Sequence, residues 1–481
     1  MNDGQLVKRG FLTITSFLFN SCLWLPVCLG VILSPCKAAE WQAGVASVVI
    51  TPDTELWQVG YSTRKKPAAG KLHDLHAKAL ALQDPQGTRL VIVTTDLVGI
   101  VRSLRDSLLV ELAKRRLEVP PEGLLLNASH THGGPLYWVG DEMIYIHYGE
   151  LSAPVKKTIQ DYTAKLQENL LAVVSQAIEN LAPAELVYGK GHADFAMNRR
   201  LLTRKGFRNA PNPDGPVDHD VPVLHVKPLK GEWRAVLFGY ACHNTAVGGQ
   251  SYLFNGDYAG FAQAYLEEQH PGLTAMFLNG CSGDQNPQPH GPVAAAKRHG
   301  EALGKAVETV LAGEGRQLSG TLGLALEDVS LALVPPPSRQ SLERQTRSGN
   351  PRSRRRAEVL LEELTQNGRL RTTYPYPVQV IGFGNDLTLV AMGSEPVVGY
   401  GLRIKKELAG QAVWVAGYSN EASCYVPTAK VLAEGGYEGR ANMYNTIFPG
   451  PWAPSIEERI IEKIHHLVNE VRGVPEKPHK D

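Results

Sequence analysis

Three short polar clusters interrupt otherwise apolar runs, and each has residue types that can do chemistry. The first is Asn127-Ala128-Ser129-His130-Thr131-His132-Gly133-Gly134-Pro135. On an extended backbone side chains alternate with period two, so a His-x-His pair presents both imidazoles on one side. Such a pair can supply two metal ligands, or one ligand and one proton donor, or simply two hydrogen-bonded loop histidines. The two glycines after it would let a substrate approach the backbone closely. The second cluster is Ala241-Cys242-His243-Asn244-Thr245, followed by Asn255-Gly256-Asp257. Taken alone, a histidine after an apolar strand is a satisfied core residue. The third, Asn279-Gly280-Cys281-Ser282-Gly283-Asp284-Gln285-Asn286-Pro287, reads as a strand end, a glycine-rich turn and then a helix, a layout that binds anions or developing negative charge. Cys281 or Ser282 could be a nucleophile, but the G-x-S-x-G spacing of a hydrolase elbow is missing. Farther on, an apolar run from Thr388 ends at Glu395, and another from Val413 leads to Glu421 and then Tyr425. Two histidines, one glutamate and an open position form the ligand set of a zinc hydrolase.

The elements that must position these clusters are legible from hydrophobic period. Val45–Ile50, Ala77–Leu82, Leu90–Thr95 and Leu124–Asn127 read as strands, and Leu104–Leu112 as a helix between two of them. From Val155 to Leu181, apolar residues recur at helical spacing between Pro154 and Pro183. Further helices are predicted over Ala294–Leu311, over Ala357–Leu364 and from Ser455, where Glu458 would complete a capping box. Strands alternating with helices predict an α/β fold of layered mixed sheets flanked by helices, with its sites at strand ends. Val334-Pro335-Pro336-Pro337 breaks the pattern, and the basic run Arg352–Arg356 that follows reads as a solvated helix start.

The chain has 481 residues, 43% hydrophobic and 20% charged, which is ordinary globular composition and excludes wholesale disorder or a long coiled coil. Lys and Arg number 49 against 48 Asp and Glu, so the basic excess of a nucleic-acid binder is absent and no nucleic-acid partner is expected. A mean hydropathy of −0.18 excludes a polytopic membrane protein. Lys8-Arg9, the uncharged stretch Gly10–Pro35 and the small residues around Ala38 have the layout of a secretory signal peptide over 1–38. Its length also suits an uncleaved anchor. The expected location is therefore secreted or periplasmic, or membrane-anchored if the leader stays. One domain is expected over 39–474 and a disordered tail over 475–481. After the leader only Cys242, Cys281 and Cys424 remain, an odd number that reads as three buried small residues.

In their shared order, His130-Thr131-His132-Gly133-Gly134-Pro135, Asn198-Arg199, Ala241-Cys242-His243, Gly256-Asp257, Gly283-Asp284, Gly393-Ser394-Glu395, Tyr425-Val426-Pro427-Thr428 and Tyr437-Glu438 resemble the motifs of the neutral/alkaline non-lysosomal ceramidases. The similarity runs from about residue 41 to 470. It implies a ceramidase-like catalytic fold with Zn2+ held by His130, His243, Glu395 and Tyr425, although tyrosine is an uncommon zinc ligand. It implies that His132, Arg199 and Tyr437 face the scissile amide of an amphiphilic N-acyl lipid, with peripheral contact to a membrane surface. Two departures stand out. Asn286 replaces the serine of the family's Gly-Asp-x-Ser-Pro turn, leaving a hydrogen-bond donor without a nucleophile. The C-terminal immunoglobulin-like domain that such enzymes carry is also not expected here, since residue 481 follows closely on the resembling region. The expected function is zinc-dependent hydrolysis of the amide of ceramide or a related N-acyl lipid by metal-activated water, needing no serine. The alternative is a secreted lipid- or metal-binding homologue that has lost catalysis. Asn127-Ala128-Ser129 is a formal glycosylation triplet, expected to be unmodified beside such a site.

Overall fold

The computed structural model describes residues 40–139, 151–229 and 234–474. The expected leader and the expected disordered tail lie outside the described residues. Two sheets stack face to face. In spatial order the larger one runs Thr274–Asn279, Ala235–Tyr240, Asp220–Pro228, Ala182–His192, Gln42–Val49, His76–Gln83, Arg89–Thr95 and Leu124–Ala128, with Arg316–Gln317 paired beside Ala182–His192. The two outermost pairings are parallel and the inner ones antiparallel. The smaller sheet holds Leu322–Ala332, Thr373–Phe383, Leu387–Met392 and Val413–Ala416.

Strand periodicity explains why the sheets stack. On His76–Gln83, Ala77, Ala79 and Ala81 face a helical layer while Leu80 and Leu82 enter the space between the sheets. On Ala235–Tyr240, Val236 and Phe238 pack under the helices Asp257–Gln269 and Val293–Ala312, and Leu237 points the other way. The smaller sheet sends Ile381, Phe383, Leu389 and Trp414 into the same middle layer, and packs Val380, Val390 and Met392 against the helix Ile456–Val471. The result is four layers, helix, sheet, sheet, helix, which is the mixed-sheet α/β arrangement expected from the alternation of elements. The longest helix, Ala153–Glu179, buries Ile159, Leu166, Leu170, Val173 and Ala177 at the predicted spacing. Among the described residues no helix is long and apolar enough to cross a membrane.

Two local expectations fail for identifiable reasons. The helix predicted from Ala357 begins at Pro351, because Asn350 caps it by accepting from the backbone N–H groups of Arg352 and Ser353. The basic run is thus a helix start, as expected, but one that is half-buried rather than fully solvated. Arg356 within it is buried and donates to the carbonyls of Phe448 at 2.5 Å and Pro449 at 2.7 Å. The capping box at Ser455 does not form. Glu458 instead takes a two-pronged ion pair from Arg403, at 2.6 and 2.8 Å, which is stronger than reaching back to one amide. Cys242, Cys281 and Cys424 are free and buried, as expected.

His225 lies fully inside the larger sheet, and burial pushes its imidazole down to about 4. The unfolded chain takes up this proton near pH 6.5 and the folded chain only near 4. Stability is therefore lost as pH falls through that window. Replacing His225 with Leu should flatten the stability profile between pH 6.5 and 4, read as urea midpoints; an unchanged slope would contradict the account.

Candidate metal centre

His130, His243 and Glu395 each sit just past the end of a longer strand. After Leu124–Ala128 the chain turns left-handed at His130, with φ 62°, so the His-x-His pair is not on extended backbone as expected. His130 instead turns its Nδ1 onto the carbonyl of Val98 at 2.5 Å. His243 follows Ala235–Tyr240 and sets its Nδ1 on the carbonyl of Ser282 at 2.6 Å. A ring nitrogen facing a carbonyl must carry the hydrogen, so Nε2 of each ring keeps its lone pair. Glu395 follows Leu387–Met392 and pairs in parallel with Tyr425, which brings that phenol to the same place.

These atoms converge. The buried Glu395 Oε2 lies 3.3 Å from His130 Nε2 and 3.5 Å from His243 Nε2, and accepts no hydrogen bond. The Tyr425 hydroxyl is 3.1 Å from His243 Nε2. His132 Nε2 is 3.2 Å from His130 Nε2, and the ligand nitrogens of the three histidines lie within 4.8 Å of one another. Burial and then the Arg199 charge push His243 down to about 3, and burial with the neighbouring imidazoles keeps His132 well below its ordinary range. Lone pairs on two imidazoles facing an unpartnered carboxylate oxygen form a deprotonated donor set that a cation satisfies.

A second group surrounds Arg199. The turn at Gly283 feeds a short strand, Gln285–Pro287, and not the helix predicted there. That strand pairs with Ala196–Thr203 and brings Asn286 beside Arg199. The buried guanidinium donates to Glu438 at 2.9 Å, to Asn286 Oδ1 at 3.1 Å and to the Tyr425 hydroxyl at 2.9 Å. Arg200 takes the other Glu438 oxygen at 2.8 Å. The Tyr437 ring lies 5.4 Å from that of Tyr425, and its hydroxyl accepts from Asn442 at 3.1 Å. His132, Arg199, Asn286, Tyr425 and Tyr437 line one cleft of about 700 Å³, and His130, His243 and Glu395 are buried behind them. The structure thus brings all eight predicted residues together.

Other readings change. Gly133 serves the protein's own packing, since a Cβ there would sit 2.4 Å from Asn255 Nδ2. Cys281 and Ser282 are buried and do not line the cleft, and burial raises the Cys281 thiol; Ser282 contributes its carbonyl. Asn127 is fully buried and donates to the carbonyl of Gly417 at 2.7 Å, which closes it to glycosylation. Sequence reasoning missed residues 60–64. Tyr61 packs edge-on to His132 with ring centres 4.8 Å apart, and Arg64 donates to the His132 carbonyl at 2.6 Å. Gly60, at φ 96°, leaves the space that a Cβ would take from the His132 ring. Nothing in a turn some seventy residues upstream of His132 signals these contacts.

The sequence model described as neutral/alkaline non-lysosomal ceramidase, N-terminal, matches residues 41–305. The chain belongs to this family. Similar curated ceramidases include neutral ceramidase A of Dictyostelium discoideum, 24% identical over 53% of this chain and 37% of its own length. Neutral ceramidase 1 of Arabidopsis thaliana is 26% identical over 49% of this chain and 30% of its own. The chain thus spans well under half the length of these relatives. Among solved structures, the neutral ceramidase from Pseudomonas aeruginosa aligns with a TM-score of 0.69 at 22% identity, over 91% of this chain and 76% of that one. A ceramidase complexed with C2 aligns equally well at 21% identity. These likenesses show the ceramidase fold. The family match ends before Glu395, Tyr425 and Tyr437, so their membership of the cluster rests on the geometry above.

Glu438 bridges two buried guanidinium groups at this wall, with both Arg199 and Arg200 about 5% exposed or less; Arg200 also pairs with Glu434 at 3.2 Å, whereas Glu438 is the carboxylate on Arg199. Truncating Glu438 to Ala should destabilise the protein by about 3–5 kcal/mol, because it strands the buried Arg199 charge and leaves Arg200 with Glu434 alone. A loss below about 1 kcal/mol in urea unfolding would show that solvent already compensates them.

Proposed function

We propose that this chain is a zinc-dependent hydrolase that cleaves the amide bond of ceramide or a related N-acyl lipid. The observation that carries the reading is the unpartnered, buried Oε2 of Glu395 facing two Nε2 lone pairs whose tautomers are set by the Val98 and Ser282 carbonyls. Four donors, His130, His243, Glu395 and Tyr425, suit a zinc ion with access left on the cleft side. Burial pushes the Tyr425 phenol well above its ordinary range and Arg199 only partly opposes this, so a second cation beside it is what ionisation to a ligand requires. A zinc ion held there supplies Lewis acidity toward an amide carbonyl and lowers the pKa of water toward ~7.

The chain's own residues supply the rest. His132 is neutral at pH 7 and lines the cleft, so it can take a proton from water and hand one to the leaving amine. Arg199 keeps its charge, since the Tyr425 and Glu438 groups beside it outweigh its burial, and it sits at the cleft wall as a fixed donor toward negative charge on the carbonyl oxygen. Tyr437, whose hydroxyl accepts from Asn442, keeps its own O–H to donate into the cleft. Asn286 accepts from Arg199 at Oδ1 and so offers its NH2 as a donor. No step uses a side-chain nucleophile. The relatives' name, neutral ceramidase, supports an amide of the ceramide kind as the bond cleaved.

Asn286 also favours a second reading, a lipid- or metal-binding homologue without turnover. Elemental analysis separates the first requirement. The protein should carry close to one zinc per chain, and His243→Ala should lose it together with at least ~100-fold in kcat/KM on N-acyl amides. Hydrolysis surviving intact in His243→Ala would overturn the zinc mechanism. Stoichiometric zinc with no release of free amine from any N-acyl substrate would favour the binding reading.

A further inference from the structure

The cleft over the candidate metal centre is an unusual receptacle for two alkyl chains. Ligand pockets are mostly apolar with a few placed polar groups. Here, among the described residues, no Leu, Ile, Val, Phe, Met or Trp lines the cleft; its apolar surface is Ala210, Pro211 and the faces of three tyrosines. The rest of the wall is glycine and polar side chains, including Asn209, Gln250, Gln288 and Asn445. Each methylene that leaves water for an apolar groove gains about fourfold in affinity, and a wall without branched or long alkyl side chains, interspersed with amides and hydroxyls, supplies less of that gain.

The charge of the wall is one-sided as well. Among the described residues it contains Arg199 and Arg352 and no carboxylate. Arg199 is matched by Glu438 behind it. Arg352 is half-buried at the cleft, and its guanidinium takes part in no ion pair or hydrogen bond among the described residues; its backbone N–H donates to Asn350. A concave site lined by one sign of charge concentrates ligands of the other, and a guanidinium reads carboxylate or phosphate with two parallel bonds.

We propose that the amide accepted here carries an anionic group, carboxylate or phosphate, which enters the cleft with the scissile bond and pairs with Arg352. Any long alkyl chain extends out of the cleft rather than along its wall. Arg352 is then the residue that separates such anionic N-acyl amides from neutral two-chain ceramides. The inference deepens the amide-hydrolase reading and rests on it for the bond, but its test does not need turnover.

The test is calorimetric binding to the full-length, zinc-loaded protein using matched neutral and anionic ligands. N-hexanoylglycine is compared with N-hexanoylglycinamide, and the N-hexanoyl amide of phosphoethanolamine with that of ethanolamine. Each anion should bind ~10–100-fold more tightly than its neutral twin, and the better of the two identifies the source as carboxylate or phosphate. In Arg352→Gln the ratio should fall to near one, with Arg352→Lys in between, while urea midpoints stay unchanged. Twins that bind alike to the unaltered protein, or no binding of either anion, would overturn the proposal even if a variant failed to fold. So would tighter binding of a short-chain ceramide than of both anions. Discrimination without hydrolysis of any amide would leave Arg352 in place and remove the hydrolase reading instead.

Discussion

Two backbone carbonyls decide what this centre can do. Val98 and Ser282 each face the Nδ1 of a histidine, and that contact forces the lone pair of each ring onto Nε2. Were either carbonyl turned away, the ring could tautomerise and hydrogen-bond Glu395, and the cluster would be an ordinary satisfied polar core. As built, the Glu395 oxygen faces two acceptors and has no donor. The arrangement is electrostatically incomplete, and a bound cation is the simplest group that completes it.

Holding those carbonyls and donors in place uses backbone that is locally unfavourable. His130, Ser394, Tyr418 and Asn420 all have positive φ, and all lie on the loops that carry or adjoin the candidate ligands. Each such residue costs of order 1–3 kcal/mol, which only an over-determined surrounding can sustain. The four-layer stack supplies it. Asn420 donates its amide to Gln379 of the smaller sheet, while its Oδ1 accepts from Leu126 N–H of the larger one. Asn127 likewise donates to the carbonyl of Gly417 and accepts from the N–H of Asn279. The loops are thus tied between both sheets, and strain at one end is held by hydrophobic layers at the other.

This division explains what could be read from the chain. Strands with a clean period, such as His76–Gln83 and Arg89–Thr95, and the long helix Ala153–Glu179 follow from local pattern, because burial on one face is itself a local signal. The chemistry-bearing residues stood out as polar interruptions at strand ends. Arg199, the role of Tyr437 and Tyr425 as a ligand come only through family resemblance; for Tyr425 this is because its relation to His243 depends on a two-residue parallel pairing with Glu395. Tyr61, Arg64 and the Ser282 carbonyl were invisible, because a backbone oxygen or a turn residue becomes part of a site only through tertiary placement. The failed capping box has the same origin: Glu458 obeys a partner, Arg403, from another helix.

Asn286 shows how one substitution can be tolerated by the frame while narrowing the chemistry. A serine hydroxyl offers a donor and an acceptor on one atom, and also an ionisable O–H. The amide divides the first two functions between Oδ1 and the NH2 and drops the third. Arg199 therefore keeps an acceptor at 3.1 Å, and its grip on Tyr425 and Glu438 is undisturbed. What disappears is covalent catalysis from this position. On the proposed mechanism the nucleophile is water, and its activation falls to the His130, His243 and Glu395 cluster.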